Sequence, residues 1–102
     1  MAPKHRIPMH PGEILREEFL LPLGLTQARF ARHLRTTPQR VSKIVRGERG
    51  ITPETAWLLA QSLGTSPEFW VNLQSAHDLA ATRPSRRLAA VRRKAVPAHA
   101  GS

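Results

Sequence analysis

The sequence contains no cysteine. That excludes a disulfide framework and any thiolate metal site, and it fits a chain that works in a reducing cytosol. Long apolar runs are missing too. Nothing approaches the roughly 20 apolar residues of a membrane span, and the basic start, MAPKHRIPMHPGEIL, is not followed by an apolar stretch of signal-peptide length. A soluble, cytoplasmic protein with no membrane partner is expected. Histidine occurs at His5, His10, His33, His77 and His99, but no two stand four apart and no compact ligand set forms, so no metal site is expected. Enzyme chemistry is equally poorly served. Glu17 and Glu18 adjoin on an amphipathic segment with no convergent base, nucleophile or glycine-rich phosphate loop nearby. No catalytic residue and no cofactor is assigned.

Acid is scarce: 7 Asp and Glu stand against 16 Lys and Arg, a net charge of +9 in 102 residues. Its distribution matters more than its size. Lys4 and Arg6 at one end, and Arg83, Arg86, Arg87, Arg92, Arg93 and Lys94 at the other, supply +8. Between them residues 12–25 carry −2, residues 26–49 carry +6 and residues 50–81 carry −3. The positive charge of the folded part therefore collects in one segment, which is the electrostatic footprint of a nucleic-acid binder.

Strand signals are nearly absent, whereas helix punctuation is dense. Residues 12–21 read as a first helix, with Pro11 before it, Glu13 early in it and Pro22 and Gly24 after it; Ile14, Leu15, Phe19 and Leu21 are its inward residues. Thr26 caps a second helix to Leu34 that turns Phe30, Ala31 and Leu34 inward and Arg29, Arg32 and His33 outward. Thr37–Pro38, Thr52–Pro53 and Ser66–Pro67 repeat one start signal, a hydroxyl cap followed by a proline at the first helical position. They open a third helix ended by Gly47, a fourth ended by Gly64 and lined by Ala56, Leu59, Ala60 and Leu63, and a fifth through about Ala80. The expected fold is all-α, with five short helices. Residues 1–8 read as a flexible arm, 9–81 as the domain, and 82–102 as a basic, disordered tail without a sustained apolar face. A core of about 70 residues rarely supplies more than about 3–5 kcal/mol, so association with a partner is expected.

The stretch TTPQRVSKIVRG carries the chemistry. At about 100° per residue, Val41, Ile44 and Val45 share one narrow arc, while Gln39, Lys43 and Arg46 fall opposite, flanked by Arg40 and Ser42. An amide can bridge the N6/N7 edge of adenine, and an ammonium or guanidinium can meet guanine or a phosphate. The helix before it supports the same use: Gln27, Ala31, Val41 and Ser42 have helix-turn-helix spacing, with Ala31 small enough for a close crossing. Thr26 and Gln27 sit at a helix start, where free amides favour a phosphate. The assignment is base readout by Pro38, Gln39, Arg40 and Lys43, with phosphate contacts from Thr26, Gln27, Thr37, Ser42 and Arg46, and from Arg49 more weakly.

The segment LTQARFARHLRTTPQRVSKIVRG resembles the Cro/cI-type helix-turn-helix repressors, and the chain is more closely similar to HigA-type antitoxins of toxin–antitoxin modules. The closer likeness rests on HPGEILREEFL, RVSKIVRGERGIT and LAQSLGTSPEFWVNLQSAHDLA, and covers residues 9–81. It implies a five-helix domain and a homodimer that represses its own operon at a palindromic double-stranded operator, nucleoid-associated when bound. It also implies a cognate toxin, a small basic mRNA endonuclease that the dimer neutralises. A stand-alone Cro/cI-type repressor with no toxin is the alternative. The sequence departs from the family at Arg35, where glycine is usual in the turn; a left-handed non-glycine residue there costs on the order of 1 kcal/mol. On the fifth helix Phe69, Trp70, Leu73, Ala76 and Ala80 form an apolar face that either packs on the first and fourth helices or meets a second copy; Phe69, Trp70 and Leu73 are assigned to the dimer. Trp57 is expected to be a partly buried packing residue. The basic tail either adds non-specific phosphate contacts or is passive.

Overall fold

Helix-capping chemistry recurs at every helix start among the described residues. In the computed structural model, which describes residues 9–82 and 90–94, the hydroxyls of Thr26, Thr37, Thr52 and Ser66 accept the N–H of Arg29, Arg40, Thr55 and Phe69 at 3.1, 3.2, 3.2 and 3.1 Å. Each satisfies one of the amide donors that a helix start leaves unpaired. They open α2 (Gln27–Leu34), α3 (Pro38–Val45), α4 (Pro53–Leu63) and α5 (Pro67–Ala81). The first helix, α1 (11–23), starts differently: the His10 Nδ1 accepts the Gly12 N–H at 2.9 Å. The five helices are the only regular structure among the described residues. The assignments of an N-terminal arm at 1–8 and a disordered tail lie mostly outside those residues.

Four helices also share a stop. Gly24, Arg35, Gly47 and Gly64 all take positive φ, at 66°, 59°, 75° and 73°. After α2 the Thr36 N–H reaches the Ala31 carbonyl at 2.9 Å and the Arg35 N–H the Arg32 carbonyl at 3.1 Å; after α3 the Glu48 N–H reaches Lys43 at 2.9 Å and the Gly47 N–H reaches Ile44 at 3.0 Å. This is the Schellman closure, which pairs the last carbonyls through one left-handed residue. Three of the four left-handed positions are glycine. Arg35 pays a Cβ penalty at the turn between α2 and α3.

The core collects Leu15, Leu20, Phe30, Val41, Ile44, Leu59 and Trp70, each at most 4% exposed. Ala31 and Ala56 are fully buried where larger side chains would hold helices apart. Gly12 is tighter still: a Cβ on it would collide with the Ile44 carbonyl oxygen, so α1 crosses the end of α3 backbone to backbone. Phe30, Ala31, Val41, Ile44 and Val45 are buried as their spacing requires.

Two expectations fail. Leu21 is 59% exposed, and Leu20 is buried instead. Between α-helical Pro11–Ile14 and Leu21–Leu23, residues Leu15–Leu20 wind as a π-helix, and the Leu21 N–H bonds the Arg16 carbonyl five residues back. That slower winding stacks Leu20 over Leu15, which a 100° wheel cannot reproduce. Pro22 just beyond lacks an N–H, and its ring would crowd a carbonyl in α register. Trp57 is 57% exposed rather than partly buried.

His10 combines several of these contacts. It is buried, its ring meets the His77 ring edge-on at 5.0 Å, and it covers Gly47. Burial lowers its pKa below the ordinary imidazole value, and His77 lowers it further against the opposing pull of Asp78 and Glu13. Protonation would also remove the Nδ1 lone pair that caps α1. The unfolded chain therefore takes up this proton first, so the stability that neutral His10 gives is complete above about pH 6.5 and lost as pH falls below it. We expect the urea midpoint to drop between about pH 7 and pH 5, and the drop to shrink in His10→Asn, which keeps a capping acceptor that does not titrate. For the strained turn, Arg35→Gly should raise stability by at most about 0.5 kcal/mol in urea unfolding, the left-handed penalty less the backbone entropy of glycine.

Candidate nucleic-acid interface

The third helix buries one face and leaves the other bare. Val41, Ile44 and Val45 hold it down, and Gln39, Lys43 and Arg46 are exposed on the opposite side. Ala31 brings α2 close alongside. The result is a single concave surface of about 380 Å³ between the start of α2 and the outer face of α3. Gln27, Pro38, Gln39, Ser42, Lys43 and Arg46 line it together with Ala28. Six of the ten residues assigned to DNA contact are thus brought to one surface. It offers two amides, a hydroxyl, an ammonium and a guanidinium, which can donate to base edges and phosphate oxygens alike. Thr26 and Thr37 stand exposed at the two helix starts, their oxygens accepting backbone N–H bonds while their own hydrogens are left to donate.

Arg40 does not join this surface. Its guanidinium donates to the Thr55 Oγ1 at 3.0 Å, and the same buried oxygen receives the Thr52 hydroxyl at 3.1 Å. Arg40 sits on the wheel at the border between the buried and exposed faces, one step from Val41. Its long stem lies over the core edge and carries the charge to the start of α4. The base-reading role assigned to it is corrected to a tie between α3 and α4.

Arg46 remains on the ridge but has company. Its Nε stands 3.0 Å from the Glu48 Oε2, with both side chains more than half exposed. The Schellman turn folds Glu48 back, so a carboxylate does approach the ridge. Arg49 is exposed beyond it, and its backbone N–H converges with that of Glu48 on the Lys43 carbonyl, at 3.2 and 2.9 Å.

Two supports escaped the sequence. Gln74 on α5 accepts the Ile51 N–H at 2.8 Å and donates to Asp78 at 2.9 Å, which pins the loop after α3. His10 packs on the Gly47 turn from the other side. Both act across more than 20 residues, and no local pattern signals them. The His10–His77 pairing is likewise invisible to spacing, and no group of three or more potential metal ligands forms among the described residues. No helix among them is long and apolar enough to cross a membrane.

On α5 the assigned dimer residues part company. Trp70 is fully buried in its own chain, where its indole N–H donates to the Thr65 Oγ1 at 2.7 Å and its ring packs 5.4 Å from Phe19. It cannot meet a second copy, which corrects its assignment. Leu73 is partly buried against the core, and Phe69 is 38% exposed.

Comparison with known proteins identifies the family. A helix-turn-helix family profile matches residues 15–70. The chain is 47% identical over 79 residues to virulence-associated protein I of Dichelobacter nodosus, covering 76% of this chain and 73% of that one. It is 40% identical over 83 residues to antitoxin HigA-1 of Vibrio cholerae, covering 81% and 78%. Among solved structures, Pseudomonas aeruginosa antitoxin HigA with the higBA promoter superposes with a TM-score of 0.71 at 46% identity, covering 72% of this chain and 80% of that one. On the profile match and these identities, the chain belongs to the helix-turn-helix family, among its HigA-type antitoxins.

Proposed function

We propose that the chain is the antitoxin and autorepressor of a toxin–antitoxin module, binding operator DNA as a dimer and neutralising a cognate mRNA-endonuclease toxin. The observation that carries the DNA-binding half is the concave surface shared by Gln27, Gln39, Ser42, Lys43 and Arg46. It places hydrogen-bonding side chains on the exposed side of a helix whose opposite side is fixed in the core. In this reading α3 enters the major groove, Gln39 and Lys43 read base edges, and Pro38 leads at the helix start. Thr26, Gln27, Thr37, Ser42 and Arg46 hold phosphates, with Arg49 beside them. The P. aeruginosa relative solved with its promoter supports this use of the fold. Toxin neutralisation rests on kinship with antitoxins, not on a feature of the site.

Two copies would place their α3 helices in successive major grooves about 34 Å apart, on an inverted repeat. With Trp70 committed to the core, the apolar surface available to a second copy near the start of α5 is Phe69 and the edge of Leu73. Trp57 on α4 adds an exposed ring beside Pro53, Pro67 and Val71.

The first experiment is a gel shift with DNA from upstream of the chain's own reading frame; no shift at low salt would sink the repressor reading. On a bound operator, Gln39→Ala should relax discrimination at one position by about 1–3 kcal/mol, whereas Arg46→Ala should weaken all sequences alike and reduce the salt slope by about one. Arg40→Ala should instead lower stability by about 1 kcal/mol in urea unfolding, by removing the bond to Thr55, while Lys43→Ala leaves stability unchanged. Sedimentation should show Phe69→Ser or Trp57→Ser as monomer at concentrations where the parent is dimeric. A dimer intact in both places the contact elsewhere.

A further inference from the structure

Glu48 is the only carboxylate between Glu18 and Glu54, inside the segment that carries +6. Its position is fixed by the backbone. Gly47 turns through φ 75°, and the Glu48 N–H closes on the Lys43 carbonyl at 2.9 Å. The carboxylate therefore lies at the C-terminal end of α3, where the helix macrodipole is itself negative and disfavours an acid. It reaches Arg46 at 3.0 Å, on the ridge assigned to DNA. An exposed pair of this kind contributes little to stability, so fold energetics do not account for it. It bears directly on a phosphate, because the negative charge stands beside the cation that the phosphate would use.

Resting on the DNA-binding reading above, we infer that Glu48 is an affinity-limiting residue that competes with backbone phosphate for Arg46. A DNA strand that takes Arg46 as a phosphate partner must first open the Arg46–Glu48 pair. Non-specific binding is carried by phosphate attraction, so Glu48 holds down the occupancy of random DNA and leaves operator choice to Gln39 and Lys43. The device is thus a carboxylate at the edge of the interface that lowers affinity for operator and random DNA alike.

The test compares Glu48→Gln with the parent on operator and random duplexes across a salt series. This substitution keeps the backbone bond and the side-chain size. The expected result is binding to both duplexes tighter by about two- to fivefold, the worth of the exposed pair that phosphate no longer has to open, with the parent's salt slope kept because Arg46 neutralises one phosphate in either protein. In an Arg46→Ala background the gain should disappear. Glu54→Gln, which removes an exposed carboxylate from the first turn of α4, should give none. Unchanged or weaker binding by Glu48→Gln overturns the inference, weaker binding because it makes Glu48 a support for Arg46. A gain that persists without Arg46, or that Glu54→Gln reproduces, overturns it as well. A parent that binds no DNA at low salt sinks the DNA-binding reading and this inference with it; a parent that binds while Glu48→Gln gains nothing sinks this inference alone.

Discussion

The backbone crossing at Gly12 is the constraint from which the interface follows. The Ile44 carbonyl occupies the space where a side chain on Gly12 would begin, so α1 can lie on the end of α3 only through glycine. That contact buries Ile44 and Val45 and turns the opposite side of the helix outward. It also brings the His10 ring over Gly47, where it caps α1 and covers the turn that ends α3. Orientation of the outer ridge is therefore a consequence of packing on the inner side. A helix of eight residues could not hold that orientation by itself, since an isolated helix of this length is marginal in water.

Local signals in the sequence are reliable wherever the structure uses local chemistry. Thr26, Thr37, Thr52 and Ser66 cap the helices they precede, and the stripe of Val41, Ile44 and Val45 faces inward as its spacing demands. Legibility is lost where a long-range contact or an irregular turn intervenes. Leu20 replaces Leu21 in the core because α1 leaves α register, and a wheel drawn at one fixed angle carries no information about that. Trp70 and Trp57 exchange their expected places for a different reason. Both lie on helices with broad apolar surface, and which ring is enclosed depends on where α1 and the Thr65 turn lie. The aromatic content of α5 is visible in the sequence, but its division between core and surface is not.

The concave surface is legible as a set of residues but not as a set of roles. Arg40, Arg46 and Arg49 look alike in the sequence, and all three fall within ten residues in the basic segment. The fold gives each a different neighbour. Arg40 is directed to Thr55 at the start of α4, Arg46 to Glu48, and Arg49 outward. An arginine can be assigned by spacing only to a sector of the helix; its stem is long enough to place the charge well outside that sector. Net charge over 26–49 therefore overstates what α3 can present, because Arg40 is used inside the protein and Arg29, Arg32 and Arg35 belong to α2 and the turn after it.

The same turn that ends α3 links the ridge to the rest of the molecule. Gln74 and His77 on α5 hold Ile51 and His10, which flank residues 46–50 on two sides. Any partner that shifts α5 would thus act on Arg46, Glu48 and Arg49 before it reached Gln39, which is anchored at the far end by the Thr37 cap. Arg46 and Glu48 at the end of α3 are in this sense mechanically closer to α5 than Gln39 is. A shift of α5 would then disturb the end of α3 more readily than its start.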